Sequence, residues 1–128
     1  MEEALMAKLL ATTAVTNIFG TRIRWGERGQ GDALPTLVLN VVSGEEHYTH
    51  GGAGQIGMTR VQFDSYGATS KQSNDGSAAV LTALSGATFT QGSVTFGGIF
   101  FDSKFGPRAE GENPKVFRTM RDARVWVQ

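Results

Sequence analysis

Two glutamates and two histidines lie close together in the segment Glu45-Glu46-His47-Tyr48-Thr49-His50. Imidazole nitrogens and carboxylate oxygens bind divalent metals, so this segment is the first candidate for chemistry. On a strand His47 and His50 would face opposite sides, and no helix is expected there. The chain has no other histidine and no cysteine, so a second cluster of ligands is missing from the sequence. A solvated hairpin tip is therefore the preferred interpretation, with a metal site as its alternative.

The glycine-rich segment Gly52-Ala53-Gly54-Gln55-Ile56-Gly57 matches the G-x-G-x-x-G pattern of dinucleotide-binding loops. That pattern works when it follows a buried strand and opens a helix whose N-terminus receives the pyrophosphate. Here a polar segment precedes it and an alternating strand follows. We therefore expect no nucleotide cofactor, although a small nucleotide- or metal-binding enzyme remains an alternative.

Other catalytic arrangements are also missing from the sequence. There is no cysteine nucleophile and no serine in a G-x-S-x-G elbow, and no pair of acids is framed by further signals. We expect no enzymatic activity. The 12 basic and 12 acidic residues cancel, so the chain does not hold nucleic acid by bulk charge. No signal peptide and no membrane span are expected.

Basic and aromatic residues mark the remaining candidate sites. Arg22, Arg24 and Arg28 flank Trp25, a combination that could stack on single-stranded nucleic acid; an edge strand with Trp25 packed on the sheet is the preferred interpretation. A second aromatic, Phe105, lies among turn residues and could contact a protein, with a ring packed against its own chain as the alternative. The candidate docking loops therefore contain Trp25, Arg28, His47, Tyr48, His50, Phe105 and Arg108.

Two strands with alternating side chains must position these groups. Met58 to Tyr66 places Val61 and Phe63 on one face, and Phe117 to Val127 repeats that pattern near the end of the chain. The opposite faces of both strands carry charges and an amide. A sheet covered on one side is implied. The polar face forms a candidate subunit interface or channel lining, made of Arg60, Gln62, Asp64, Arg118, Asp122 and Arg124.

The other elements are predicted from periodicity and breakers. We expect helices over 2–11 and 14–19, a brief edge strand at 22–25, and a buried strand over 36–42 joined to the central strand by a long hairpin. A helix from 70 to 84 should start late or fray, because Ser73 to Gly76 are poor helix formers. A short turn at 89–94 precedes a strand ending at Phe101, and residues 104–115 read as a loop.

In this order, the chain resembles the tail-completion or tail-terminator proteins of long-tailed bacteriophages and gene transfer agents. The resemblance covers nearly the whole chain and rests on five segments in series. They are Gly20-Thr21-Arg22-Ile23, Leu34-Pro35 before Leu37-Val38-Leu39, Arg60 to Gly67, Ala83-Leu84-Ser85-Gly86, and Val116-Phe117-Arg118 through Val125-Trp126-Val127.

The resemblance implies one α+β domain over residues 1–128, with a small, mostly antiparallel sheet and two main helices packed on one face. It implies a ring-forming subunit, often hexameric, at the head-proximal end of the tail tube. Its partners would be further copies of itself, the tail tube protein, a head or neck connector protein and double-stranded DNA passing through the lumen, with no cofactor and no membrane. Assembly would take place in the bacterial host cytoplasm. A head-completion or neck adaptor protein on the portal side is the alternative in the same setting.

Overall fold

A computed structural model describes residues 1–27, 33–47, 56–110 and 115–127, with the backbone alone described for residues 43–47 and 56. The helices are α1 (Glu2–Leu10), α2 (Thr13–Phe19) and α3 (Ser70–Leu84). The strands are β1 (Ile23–Trp25), β2 (Thr36–His47), β3 (Ile56–Gly67), β4 (Phe89–Gln91), β5 (Val94–Glu110) and β6 (Val116–Val127). None of the helices in these ranges is long and apolar enough to cross a membrane.

The six strands form one sheet in the order β1-β2-β3-β6-β5-β4. Strand β1 pairs parallel to β2, and the other four pairings are antiparallel. The sheet is therefore mixed. The prediction of a mostly antiparallel sheet did not specify the parallel pairing of β1 with β2. Hydrogen bonds flanking the ladder also hold β1 beside β2. The Arg22 carbonyl accepts from Leu37 N at 3.0 Å, Arg22 Nε donates to the Pro35 carbonyl at 2.9 Å, and Gly26 N donates to the Leu39 carbonyl at 2.8 Å.

The predicted hairpin between β2 and β3 is present, and it is longer than the sequence indicated. Its paired residues run from Thr36 with Tyr66 to His47 with Ile56. Strand β2 therefore continues past Val42, where the apolar run ends and where we expected the strand to stop. The ladder absorbs one irregularity between Val41 and Ser43, which leaves Val42 outside the pairing.

One face of the sheet, here called the inner face, packs against the helices. Val61 and Phe63 of β3 lie in the core cluster with Leu5 and Leu9 of α1 and with two residues of α3, Val80 and Leu84. Val61 and Phe63 therefore lie on the covered face, as the alternation of β3 predicted, and Leu81 of α3 lies outside the cluster. Helix α2 also contributes fully buried Val15 and Phe19. Three helices therefore build the core, whereas the family resemblance implied two main helices.

Helix α3 does not start late, because its weak helix formers form its packing face. Ser73, Gly76 and Ser77 are buried, and a Cβ atom on Gly76 would lie 2.5 Å from Cζ of Phe19. Thr69 caps the first turn by accepting a hydrogen bond from Gln72 N at 3.0 Å. Small residues allow the helix to approach both α2 and the sheet closely, and this packing outweighs their poor intrinsic propensity.

The predicted loop over residues 104–115 is wrong for its first half. Strand β5 runs on to Glu110 and pairs with β6, with Lys104 opposite Arg121 and Arg108 opposite Arg118. The register shifts between Phe105 and Arg108, so Gly106 and Pro107 stand outside the ladder. A proline at such a bulge removes no ladder hydrogen bond, and turn-forming residues there do not end the strand.

Candidate functional site: the charged outer face of the sheet

The sheet face opposite the helices, here called the outer face, collects all six residues predicted for a polar surface. Their positions follow from strand register: Arg60 pairs with Arg124 and Gln62 with Asp122 across β3 and β6. Residues of β5 continue the same rows, with Phe100 opposite Arg124 and Ser103 opposite Asp122. The register of three neighbouring strands therefore gathers side chains that are far apart in sequence.

Four charged side chains form a connected group, here called the central network, which consists of Arg60, Asp102, Asp122 and Arg124. Arg60 Nη2 lies 2.8 Å from Asp122 Oδ2 and 3.2 Å from Asp102 Oδ2. Arg124 Nε lies 3.1 Å from Asp102 Oδ2, and the Ser103 hydroxyl donates to Asp122 Oδ1. Two guanidinium groups and two carboxylates give this network a formal charge of zero.

The network is partly exposed, and its electrostatics favour the ionised forms. Between a quarter and two-fifths of each side chain is open to solvent, from 24% for Asp122 to 41% for Arg124. Desolvation, the largest single influence, would raise the pKa of Asp122, but hydrogen bonds from Arg60 and Ser103 and the Arg60 charge together lower it below its ordinary value. The Asp122 carboxylate is therefore ionised at neutral pH.

A second group lies further along the same face, where Asp64 is buried with its side chain only 4% exposed. Gln62 Nε2 donates to both Asp64 oxygens at 3.1 Å, while Arg118 Nε stands 3.8 Å from Oδ1. Arg118 Nη1 lies 3.0 Å from Glu110 Oε1. Burial raises the pKa of Asp64, because the Gln62 hydrogen bond and the distant Arg118 charge offset the loss of water only in part.

Comparisons of the whole chain with known proteins give its family. The model of the family described as Tail completion protein gp17 matches residues 3–128. The chain belongs to this tail completion family. A chain of a solved structure titled "Virion of native gene transfer agent (GTA) particle" has a similar fold, with a TM-score of 0.68 at 17% sequence identity. That alignment covers 99% of this chain and 93% of the other. No curated protein matches.

Membership of the tail completion family confirms the resemblance found in the sequence. The tail completion protein is a structural component of the phage tail and not an enzyme, and it is located in the virion. The likeness to the gene transfer agent chain is below 25% identity and supports the fold alone.

Sequence reasoning missed three residues of the charged face of the tail completion protein. Asp102, Ser103 and Glu110 all lie on β5, beyond the point where the apolar pattern ends. A register shift between Phe101 and Ser103 breaks the alternation there, so the period-2 signal fails at the residues that complete the network. One signal in the sequence was available. The polar faces of β3 and β6 carry three arginines and two aspartates, so a further carboxylate from another strand was to be expected.

Four of the predicted docking residues lie on strands and not in loops. Trp25 belongs to β1 and packs partly buried against the core, which was the preferred interpretation of its pattern. Its indole Nε1 has no hydrogen-bond partner among the described residues. Phe105 and Arg108 lie on β5, exposed, opposite Met120 and Arg118. His47 is the last residue of β2, whereas Arg28, Tyr48 and His50 lie outside the described residues.

The two segments behind the enzyme alternatives are described only in part. Within the ranges that the structure describes, no group of three or more His, Asp or Glu side chains could hold a metal ion. The side chains of Glu45, Glu46 and His47 lie outside those ranges, as does most of the glycine-rich segment 52–57. The non-enzymatic role therefore rests on family membership.

Proposed function

We propose that this tail completion protein forms a ring, of six copies as the family resemblance implies, on the last ring of the tail tube at its head-proximal end. The ring ends tube polymerisation, because it offers the tube protein one binding surface and no further growing end. Its other surface meets the connector of the filled head. The outer face of the sheet lines the lumen through which DNA passes.

The observation that supports this proposal is the balanced charge of the outer face. Each member of the central network has an opposite charge within 3.2 Å inside its own chain. Unpaired arginines on a lumen wall would bind DNA phosphates and release counterions, which holds DNA in place. A wall whose arginines are already paired with carboxylates stays polar and hydrated, and it attracts the DNA phosphates less strongly.

The same pairing favours one of the two uses that the sequence left open for these residues. As a subunit interface, Arg60 and Arg124 would have to exchange intrachain partners for carboxylates of a neighbour. Both arginines already contact Asp102, which tethers them to β5 of their own chain. The lumen assignment requires no such exchange, and we therefore assign the central network to the channel wall.

The test of the terminator role is omission of the protein from assembling particles, followed by electron microscopy of the tails. We expect overlong tails that lack heads, with normal length restored when the wild-type chain is supplied. Tails of normal length that fail to join heads would contradict the proposal and would favour a neck adaptor on the portal side.

The lumen assignment has a separate test in the pair of substitutions Asp102→Asn and Asp122→Asn. This variant removes the negative charges of both carboxylates that Arg60 and Arg124 contact in the network. We expect particles to assemble and DNA release to slow, with the delay shrinking as salt rises. Asp75→Asn on the exposed side of α3 is the matched control, and we expect release at the wild-type rate. Equal release rates for both variants would exclude the outer face as the DNA-facing wall.

A further inference from the structure

Two basic side chains meet on the inner face of the sheet beside helix α3. Lys104 of β5 pairs directly with Arg121 of β6, which also pairs with inner-face Phe63. Lys104 Nζ donates to Asn74 Oδ1 at 2.7 Å, and Arg121 Nε donates to Ser77 Oγ at 2.6 Å. Asn74 and Ser77 are three positions apart on α3 and are therefore neighbours on one side of the helix. Lys104 and Arg121, here called the basic pair, thus converge on adjacent positions of α3.

The basic pair has no counter-charge in the part of the chain that the structure describes. Neither of its side chains forms an ion pair with a described residue, whereas Arg60, Lys71, Arg118 and Arg124 do. The acid of α3, Asp75, is already bound by Lys71, with 2.6 Å between Nζ and Oδ2. Like charges directly opposite each other destabilise a β-ladder. Folding of the single chain therefore leaves two adjacent positive charges uncompensated within the described ranges.

The basic pair keeps donors that could hold an anionic ligand. A guanidinium and an ammonium each offer several N–H donors, and among the described residues the Ser77 hydroxyl and the Asn74 amide accept one from each. Neither acceptor carries a charge. Arg121 is partly buried, and burial lowers the pKa of its guanidinium, although the group stays protonated at neutral pH. Its charge is therefore less screened by water than a fully exposed charge would be.

We propose that the basic pair binds a side-chain carboxylate from an acidic segment of another virion protein. The planar guanidinium of Arg121 forms paired hydrogen bonds with a carboxylate, and the ammonium of Lys104 adds a second positive charge beside it. Lys104 is exposed, so the site is open to a partner on the side away from α3. The arriving carboxylate supplies the counter-charge that the described residues lack.

A single carboxylate fits this site better than the backbone of DNA. A duplex presents phosphates at regular intervals, and proteins that hold it use several cations along its path. The neighbouring inner-face positions of β5 and β6 are uncharged, since Phe101 and Ala123 pack in the core and Thr119 is fully buried. The basic pair is therefore an isolated site within the described ranges and not part of a cationic track.

A different protein is the chosen occupant because this chain has few free carboxylates in its described ranges. Five acids there already contact basic side chains of their own chain, namely Asp64, Asp75, Asp102, Glu110 and Asp122. Of the others, Glu2 and Glu3 lie in the first turn of α1, where negative charge stabilises the helix, and Glu27 is a single acid after β1. The tail completion protein is a component of the virion, so other virion proteins are its neighbours.

This inference goes beyond the proposed function. It requires only that the protein is located in the virion, and it holds whether the chain ends the tail tube or joins the head from the portal side. The basic pair lies on the face that the helices cover, whereas the lumen assignment concerns the outer face. The failure of either proposal therefore leaves the other intact.

Carbodiimide cross-linking of assembled particles tests the contact directly. The reagent joins a lysine amine to a carboxylate in contact with it as an amide bond, and it takes up the water that is lost. After denaturation and digestion, mass spectrometry should find Lys104 linked to an aspartate or glutamate of another virion protein. Lys71 is the internal control, because its amine lies 2.6 Å from Asp75 and should link within the chain. Links at Lys71 with none from Lys104 to another protein would overturn the inference, and so would links from Lys104 to a second copy alone.

Charge removal separates binding from a merely structural role of the basic pair. Lys104→Gln with Arg121→Gln removes both charges and keeps an amide donor at each position. We expect an unchanged or higher Tm, because repulsion within the ladder is relieved, and a fall of about tenfold in the amount of protein per purified particle. Lys71→Gln with Lys115→Gln, at exposed positions, is the matched control and should be incorporated normally. A lower Tm with normal incorporation would show that the basic pair only fastens α3 to the sheet.

Discussion

The guanidinium of Arg60 on β3 lies 2.8 Å from the carboxylate of Asp122 on β6 and joins two strands that are central to the sheet. The two residues are 62 positions apart in the sequence. Their contact exists because register places Arg60 and Asp122 diagonally on the same face, two residues from direct pairing. A second carboxylate, Asp102, reaches the same guanidinium from β5, so one arginine connects three strands.

Removal of this arginine should weaken the sheet modestly and leave the fold intact. Arg60→Ala should lower the free energy of unfolding by about 1 kcal/mol, since partly exposed ion pairs contribute little. Urea titration with circular dichroism measures the change. A double-mutant cycle with Asp122→Ala should give a coupling of about 0.5–1 kcal/mol that decreases with added salt. Complete unfolding of Arg60→Ala would show that the polar face is the structural one and contradict the assignment of the faces.

Loss of an inner-face ring should be far more costly. Phe63 is 2% accessible, and its ring centroid lies 5.6 Å from that of Phe101. Phe63→Ala should reduce the free energy of unfolding by about 3–5 kcal/mol through lost burial and the cavity left behind. Phe105→Ala is the matched control, because this ring is 59% accessible; its change should stay within about 0.5 kcal/mol. Similar losses for both variants would refute the core assignment.

The two faces of the sheet could be predicted from the sequence, because side chains alternate along β3 and β6. Any register that buries Val61 and Phe63 leaves the polar side chains of β3 on the opposite face. The ion pairs on the charged face could not be predicted from alternation. Asp102 contacts Arg60 only because β5 pairs with β6, and a bulge beside Asp102 hides the strand pattern at that point. Local propensity also failed for α3, since tertiary packing decided the role of Gly76.

That glycine gives a prediction opposite in sign to its helix propensity. Alanine is preferred over glycine in a helix interior by about 1 kcal/mol. At Gly76, however, a Cβ atom would lie 2.5 Å from Cζ of buried Phe19, so Gly76→Ala should destabilise the protein by about 1–3 kcal/mol. Thermal unfolding measures the effect. Thr82→Ala, at an exposed position of the same helix, should be neutral or slightly stabilising. Stabilisation by both substitutions would mean that α3 does not approach α2 as closely as described.

The buried carboxylate of Asp64 should make stability fall as pH rises. Burial raises its pKa above the ordinary value of 3.8, with the Gln62 hydrogen bond and the Arg118 charge offsetting part of the shift. The folded protein therefore holds a proton that the unfolded chain has lost, and stability declines as pH rises from about the ordinary pKa through the folded one. Asp64→Asn lacks this titration, so its free energy of unfolding relative to wild type should increase over that interval and then level off.

Asp122→Asn provides the control of opposite sign in the same denaturant titrations. Desolvation at Asp122 is outweighed by Arg60 and Ser103, so the pKa of this carboxyl lies below its ordinary value. Its stabilising contribution is present above the ordinary pKa and is lost as pH falls through the folded pKa. The excess free energy of unfolding of wild type over Asp122→Asn should therefore decrease as pH falls. The deficit of wild type relative to Asp64→Asn should also disappear as pH falls, because that deficit arises only when the Asp64 carboxyl is ionised. A pH-independent difference for Asp64→Asn would show that this carboxyl is not desolvated in the folded protein.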